Sequence, residues 1–196
     1  MEYIGIIITA LLASNFVLGP EPMGICPFLG VSKKTNSAVG MGLAVTLVMT
    51  LVSLITYPLY NLLVLWKIDY LYIIVFIFVI AAIVQMIEMV LKKFIPGLYS
   101  ALGIYLPLVT TNCAVLGVAQ YVTVMAAEKA VTDLFGAVLY GFAGGLGFLL
   151  AIVLLSGIRE KLDKLNIPKA LKGFPITMIA ACFMSMAFSV FIGIKF

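Results

Sequence analysis

Cys113-Ala114-Val115-Leu116-Gly117-Val118 repeats the pattern of an earlier hexapeptide, Cys26-Pro27-Phe28-Leu29-Gly30-Val31, and both copies lie within apolar stretches of a 196-residue chain. Each copy follows residues that interrupt a helix. Before Cys26 runs Gly19-Pro20-Glu21-Pro22-Met23-Gly24, where two prolines lack amide donors and clash with the preceding turn. Before Cys113 stand Pro107 and the polar run Thr110-Thr111-Asn112, and Thr and Asn are favoured helix N-caps. Pro27 suits the first position of a new helical segment, which puts Cys26 at or near its N-cap. The expectation is two broken helices, each with a thiol where its second segment starts.

Composition decides the solvent. The chain is 64% hydrophobic and 10% charged, with a mean hydropathy of +1.25, outside the range of soluble domains. Uncharged runs cover Tyr3–Leu18, Thr35–Trp66, Tyr70–Gln85, Phe94–Ala127, Leu134–Ile158 and Gly173–Ile194. About 20 apolar residues cross ~30 Å of hydrocarbon, so six spans are expected with almost nothing outside the bilayer. The first stretch lacks a basic leader and reads as a retained span. No soluble catalytic domain is expected.

Lys33 and Lys34 follow the first span, Lys92 and Lys93 the third, and Arg159, Lys161, Lys164, Lys169 and Lys172 lie between the fifth and sixth. The opposite side carries only Lys67, Lys129 and Lys195, interspersed with Glu2, Asp69, Glu128 and Asp133. The positive-inside rule then places both termini outside the cytoplasm. The formal charge of +4 is a matter of topology, and short basic loops without interleaved aromatics give no nucleic-acid signal.

The chain reads as a single all-α polytopic membrane domain over 1–196, six transmembrane helices arranged as two inverted three-helix repeats, about 1–93 and 94–196, with helices 1 and 4 broken. An odd number of crossings in each half makes any homology between the halves an inverted one. Each cysteine segment is followed by a Gly-rich span, Gly40-Met41-Gly42-Leu43-Ala44-Val45 in one half and Gly141-Phe142-Ala143-Gly144-Gly145-Leu146-Gly147 in the other. Gly141 and Gly145 have the spacing that lets two membrane helices approach closely.

A lone cysteine in an apolar run is ordinarily a small hydrophobe, and Cys182, with no break beside it, fits that description. Cys26 and Cys113 differ because of the repeat and the breaks. Irregular backbone at membrane depth survives only where it is buried in protein or lines a cavity, and amide groups at a helix start favour thiolate over thiol. The thiols suit a metal site, with a disulfide between them as the competing arrangement. Histidine is absent from the chain, and an iron–sulfur cluster ordinarily takes four protein ligands, so two cysteines make half a site and the rest must come from another subunit. Glu88, four residues before Lys92 near the inner end of the third span, is either one half of an i,i+4 ion pair or part of an ion path or subunit contact. A small inverted-repeat secondary transporter is the alternative of a different class.

Three segments resemble a known family: Cys26 to Lys34, Leu102-Gly103-Ile104-Tyr105-Leu106-Pro107-Leu108-Val109-Thr110-Thr111-Asn112-Cys113 with the five residues after it, and Gly157-Ile158-Arg159-Glu160-Lys161-Leu162. They are similar to RnfA, a membrane component of bacterial Rnf (Rsx) complexes. The related NqrE component of the sodium-pumping NADH:quinone reductase is the nearer competitor, but there Thr is expected after the first cysteine and Ala in place of Gly30. The resemblance implies an inner-membrane electron-relay subunit of an ion-translocating ferredoxin:NAD+ oxidoreductase. It would pack as a pseudo-symmetric pair with the paralogous RnfE component and share with it an intramembrane [2Fe-2S] cluster, whose ligands from this chain are Cys26 and Cys113. Pro27, Thr111 and Asn112 match the family pattern at the breaks and would support the ligand loops. FMN, further iron–sulfur clusters and NAD would belong to other components of the complex, RnfB, RnfC, RnfD and RnfG among them. No catalytic residue is expected in this chain, and the choice between Na+ and H+ is not encoded in these motifs.

Overall fold

The computed structural model describes residues 23–32, 35–66, 71–94, 112–127, 134–165, 168 and 172–192. Six helices run through them: α1 (Ile25–Val31), α2 (Thr35–Leu65), α3 (Tyr72–Phe94), α4 (Cys113–Ala127), α5 (Leu134–Leu162) and α6 (Phe174–Ile192). The protein is all-α. Three helices are long and apolar enough to cross a membrane, over Thr35–Leu65, Tyr72–Val90 and Leu134–Leu162, and two shorter apolar helices lie within α4 and α6. At ~1.5 Å per residue, the 31 residues of α2 extend about 46 Å, beyond the hydrocarbon on either side. The seven residues of α1 and the fifteen of α4 are each too short to cross alone. The expected first span, Tyr3–Leu18, and the stretch before Asn112 lie outside the described residues.

The distribution of side chains fits a bilayer. Leu47, Phe78, Phe135, Phe183 and Val190 stand exposed on the outer faces, a surface that water would disfavour. The interior is filled by Met41, Val45, Val48, Met49 and Val52 from α2, with Tyr140, Phe148, Ile152 and Leu155 from α5. Buried hydroxyls on α2 are satisfied within the helix: Thr46 donates to the Gly42 carbonyl at 2.7 Å, Thr50 to that of Thr46 at 2.7 Å, and Ser53 to that of Thr50 at 2.9 Å. Such back-bonding is what lets hydroxyls face a dry interface. Pro58 lies inside α2 without ending it, as membrane helices tolerate.

The closest helix–helix approach joins α2 to α5, and glycines make it possible. A Cβ on Gly42 would meet Leu149 at 3.0 Å, a Cβ on Gly145 would lie 2.6 Å from the Thr46 Cα, and one on Gly141 would run into Ser53. Each step of about four residues up α2 is matched by a similar step down α5, so the two helices are antiparallel and meet along one i, i+4 ridge of each. The pattern from Gly141 to Gly145 therefore acts in packing. α4 is tied to α5 by the stacked rings of Tyr121 and Tyr140, whose centroids are 5.9 Å apart.

Two glycines of α5 offer a matched test. Gly145→Ala puts a methyl against the Thr46 backbone, and overpacking of this kind costs about 1–3 kcal/mol. Gly157 has nothing within 4 Å of an added Cβ, so Gly157→Ala should instead stabilise by about 0.5–1 kcal/mol through helix propensity. Thermal unfolding in detergent should show a lower midpoint for the first variant and an equal or higher one for the second.

Candidate functional site

The first turn of α1 begins earlier than the proline alone suggests. Gly24 is the N-cap, with φ 88° and ψ 21°, a left-handed conformation that suits glycine. The first helical bond runs from the Phe28 amide to the Gly24 carbonyl at 3.3 Å. Cys26 is thus the second residue of the helix and Pro27 the third, rather than N-cap and first. Proline fits there because the first amides of a helix have no partner within it.

The start of α4 follows the expectation for an Asn cap. Asn112 accepts a hydrogen bond on Oδ1 from the Ala114 amide at 3.0 Å, and its carbonyl accepts from the Val115 amide at 3.1 Å. Cys113 is the first residue of that helix. Thr111 lies outside the described residues.

The two helix starts touch. A Cβ on Gly24 would fall 2.9 Å from the Ala114 Cβ and 3.1 Å from Asn112 Oδ1, with the Phe148 ring of α5 at 3.4 Å. Gly24 is therefore required twice, for its backbone angle and for the absence of a side chain where the second break leans on the first. Residues far apart in sequence are brought to one junction, each followed within two residues by a cysteine. Cys26 and Cys113 are both exposed and neither is in a disulfide, which sets aside the disulfide between them. Cys182 is exposed on α6, an apolar helix with no break at that position.

One polar atom at this junction stands out. Asn112 is only 3% exposed, and among the described residues its Nδ2 has no hydrogen-bond partner. A buried donor left in this state costs about 1–3 kcal/mol, and such atoms in native proteins usually mark a redox role, a strained site or a missing ligand.

A second polar group holds the other end of α1. Arg159, near the end of α5, donates from Nη1 to the Leu29 carbonyl at 3.0 Å and to Ser32 Oγ at 3.0 Å. Ser32 Oγ also donates to the Leu29 carbonyl at 3.3 Å. Beside it, Ser156 donates to Thr35 Oγ1 at 3.3 Å and Thr35 donates to Glu160 at 3.2 Å. A cation at the last carbonyls of a helix is favoured by the helix dipole as well as by the hydrogen bonds. Arg159 and Cys26 also line a common groove of about 850 Å³, together with Asp163 and Phe174. From the sequence, Arg159 counted only as a topogenic charge. Its place in Gly157-Ile158-Arg159-Glu160-Lys161-Leu162 was the available signal.

Glu88 is half-buried on α3. It continues, four residues on, the series Phe76, Ile80 and Val84, all buried, so the carboxylate belongs to the inward face of the helix. An i,i+4 ion pair at the end of α5, Glu160 with Lys164 at 3.9 Å, is highly exposed and of little energetic weight. Among the described residues no three His, Cys, Asp or Glu side chains gather into a metal-binding group.

Apolar helices around an antiparallel glycine-mediated core define an all-α polytopic membrane protein in which two helix starts, each carrying a cysteine, are in contact. The chain belongs to the Rnf-Nqr family: a profile described as "Rnf-Nqr subunit, membrane protein" matches residues 3–195. It is 51% identical, over 196 residues, to the A subunit of the Na(+)-translocating ferredoxin:NAD(+) oxidoreductase complex of Acetobacterium woodii, covering 100% of this chain and 99% of the relative. The A subunit of the ion-translocating oxidoreductase complex of Azoarcus sp. is 48% identical, with 98% and 97% covered. That of Syntrophotalea carbinolica is 47% identical, with 96% and 95% covered.

The hold of α5 on α1 can be measured. Charged hydrogen bonds are worth about 1.5–3 kcal/mol each, so Arg159→Met should speed hydrogen exchange of the α1 amides by about tenfold or more. Arg159→Lys, a point charge without the planar fork, should fall between. Exchange in α4 should be unchanged, and equal acceleration throughout would mean global rather than local loosening.

Proposed function

We propose that the chain is a membrane electron-relay subunit of an ion-translocating ferredoxin:NAD+ oxidoreductase of the Rnf type. In this reading Cys26 and Cys113 supply two of four ligands to an intramembrane [2Fe-2S] cluster shared with the paralogous RnfE component. The observation that carries it is the contact of the two thiol-bearing helix starts through Gly24, Asn112 and Ala114. Both thiols are exposed at the surface of the chain. The residues fit such a group on two counts: sulfur ligands in a chain without histidine, and an unused buried donor beside Cys113. When bound, the cluster would supply one-electron redox chemistry.

The chain's own contribution is placement. Asn112 caps the helix that carries Cys113, Gly24 lets the two breaks meet, and Arg159 anchors the far end of the segment that carries Cys26. The antiparallel α2–α5 pair supports two inverted repeats, since the middle spans of such repeats must run in opposite directions. FMN, further iron–sulfur clusters and nicotinamide are assigned to the other components of the complex, and the coupled ion is Na+ or H+, with Glu88 on the inward face of α3 as an ion-path or subunit-contact residue.

The same reading places the chain in the bacterial inner membrane with both termini outside the cytoplasm. Arg159 and Glu160 meet Leu29, Ser32 and Thr35, so the end of α1, the start of α2 and the basic end of α5 lie together, in keeping with that topology. Lys92 and Lys93 close α3. Reporter fusions at Lys34, Lys93 and Lys164 should report cytoplasm, and one at Phe196 should not; a cytoplasmic carboxyl terminus would remove the six-span arrangement.

The ligand assignment is tested by substitution and by counting. Cys26→Ala or Cys113→Ala should abolish the cluster's paramagnetic signal and ferredoxin-dependent NAD+ reduction, whereas Cys182→Ala should leave both near the parent level. The chain purified without partners should hold no stable cluster, and coexpression with its paralogue should yield about two irons per pair, as four ligands drawn equally from two chains require. An active complex free of iron would overturn the reading in favour of a solute transporter.

A further inference from the structure

The Asn112 carboxamide does two things in the fold and has a third capacity left over. Its oxygen is committed to the Ala114 amide at 3.0 Å, which fixes the orientation of the group, because exchanging oxygen and nitrogen would aim an NH2 at an N–H. Its main-chain carbonyl is committed to the Val115 amide. Nδ2 is left over, within a residue that is 3% exposed, and finds no acceptor among the described residues. Capping does not call for it: Ser, Thr or Asp would accept the same amide hydrogen. What asparagine adds is the NH2, carried by the residue before Cys113, whose Oδ1 would lie 3.1 Å from a Cβ on Gly24 in the break that leads to Cys26.

We propose that Asn112 Nδ2 donates a hydrogen bond to a sulfur of the anionic group held by Cys113 and Cys26, and so raises that group's reduction potential. The inference rests on the reading of the thiols as cluster ligands. Reduction adds one electron and makes the group more negative, and a donor aimed at sulfur stabilises the more negative state, which is how outer hydrogen bonds tune such centres. Asn112 is a positioning and tuning residue and not a ligand. Its amide stays protonated in both redox states, so no proton accompanies the electron through it.

Asn112→Ser is the informative change, because serine keeps an N-cap acceptor while its short hydroxyl cannot replace the NH2. In the whole complex purified with all its components, iron content per complex should be unchanged, and a redox titration followed by paramagnetic resonance should give a midpoint shifted to more negative potential. Pulsed resonance on the reduced parent complex, with asparagine labelled by 15N at the side-chain amide and exchanged into heavy water, should detect a 15N coupling and an exchangeable proton, both lost in the variant. A fully loaded Asn112→Ser complex with the parent midpoint and couplings would overturn the proposal while leaving the cluster assignment standing. If that variant does not assemble, the labelled parent complex decides alone, its 15N coupling supporting the bond and the absence of one refuting it. A parent complex with no iron–sulfur signal dependent on Cys113 would overturn both readings together.

Discussion

The structure depends on how closely α2 and α5 approach. With no water to drive apolar surfaces together inside a bilayer, helix association rests on van der Waals contact and on interhelical hydrogen bonds, and contact is greatest where side chains do not hold the backbones apart. Gly141 and Gly145 on α5 and Gly42 on α2 provide that closeness, to the point that a methyl on Gly145 would overlap the Thr46 main chain. The pair is antiparallel, and the other described helices are arranged around it.

On that frame the broken segments can be placed. Phe148, from the middle of α5, closes over Gly24 together with Asn112 and Ala114, so the central helix serves as the floor on which the two helix starts meet. Arg159, near the end of the same helix, binds the last carbonyls of α1. One element thus holds both ends of a seven-residue helix that is far too short to be stable alone, with the Phe148 contact at its start and two charged hydrogen bonds from Arg159 at its end. Cys26 inherits its position from those two restraints.

The polar atoms follow the same logic. In an apolar solvent an unsatisfied group has no water to fall back on, and α2 accordingly turns Thr46, Thr50 and Ser53 onto its own carbonyls. Against that economy Asn112 Nδ2 is, among the described residues, an exception that points to chemistry. Buried donors without acceptors survive where a bound group completes them, and this one adjoins a thiol.

By itself the sequence determined the solvent, the helical class and the two helix breaks beside Cys26 and Cys113. Apolar runs of about 20 residues can only be helices in a bilayer, proline and capping residues mark breaks by local rules that need no tertiary context, and Asn112 as N-cap of the second break follows from the same rules. The glycine spacing likewise announced close packing. Tertiary structure decided what those features touch. Gly24 as the cap of α1, two residues ahead of Cys26, depends on a left-handed backbone that the adjoining second break accommodates. The role of Arg159 depends on α5 ending beside the end of α1, and the inward placement of Glu88 depends on which face of α3 the bundle buries. Local sequence sets backbone preferences over a few residues, whereas contacts between residues 24 and 112 or 29 and 159 exist only once antiparallel helices have packed.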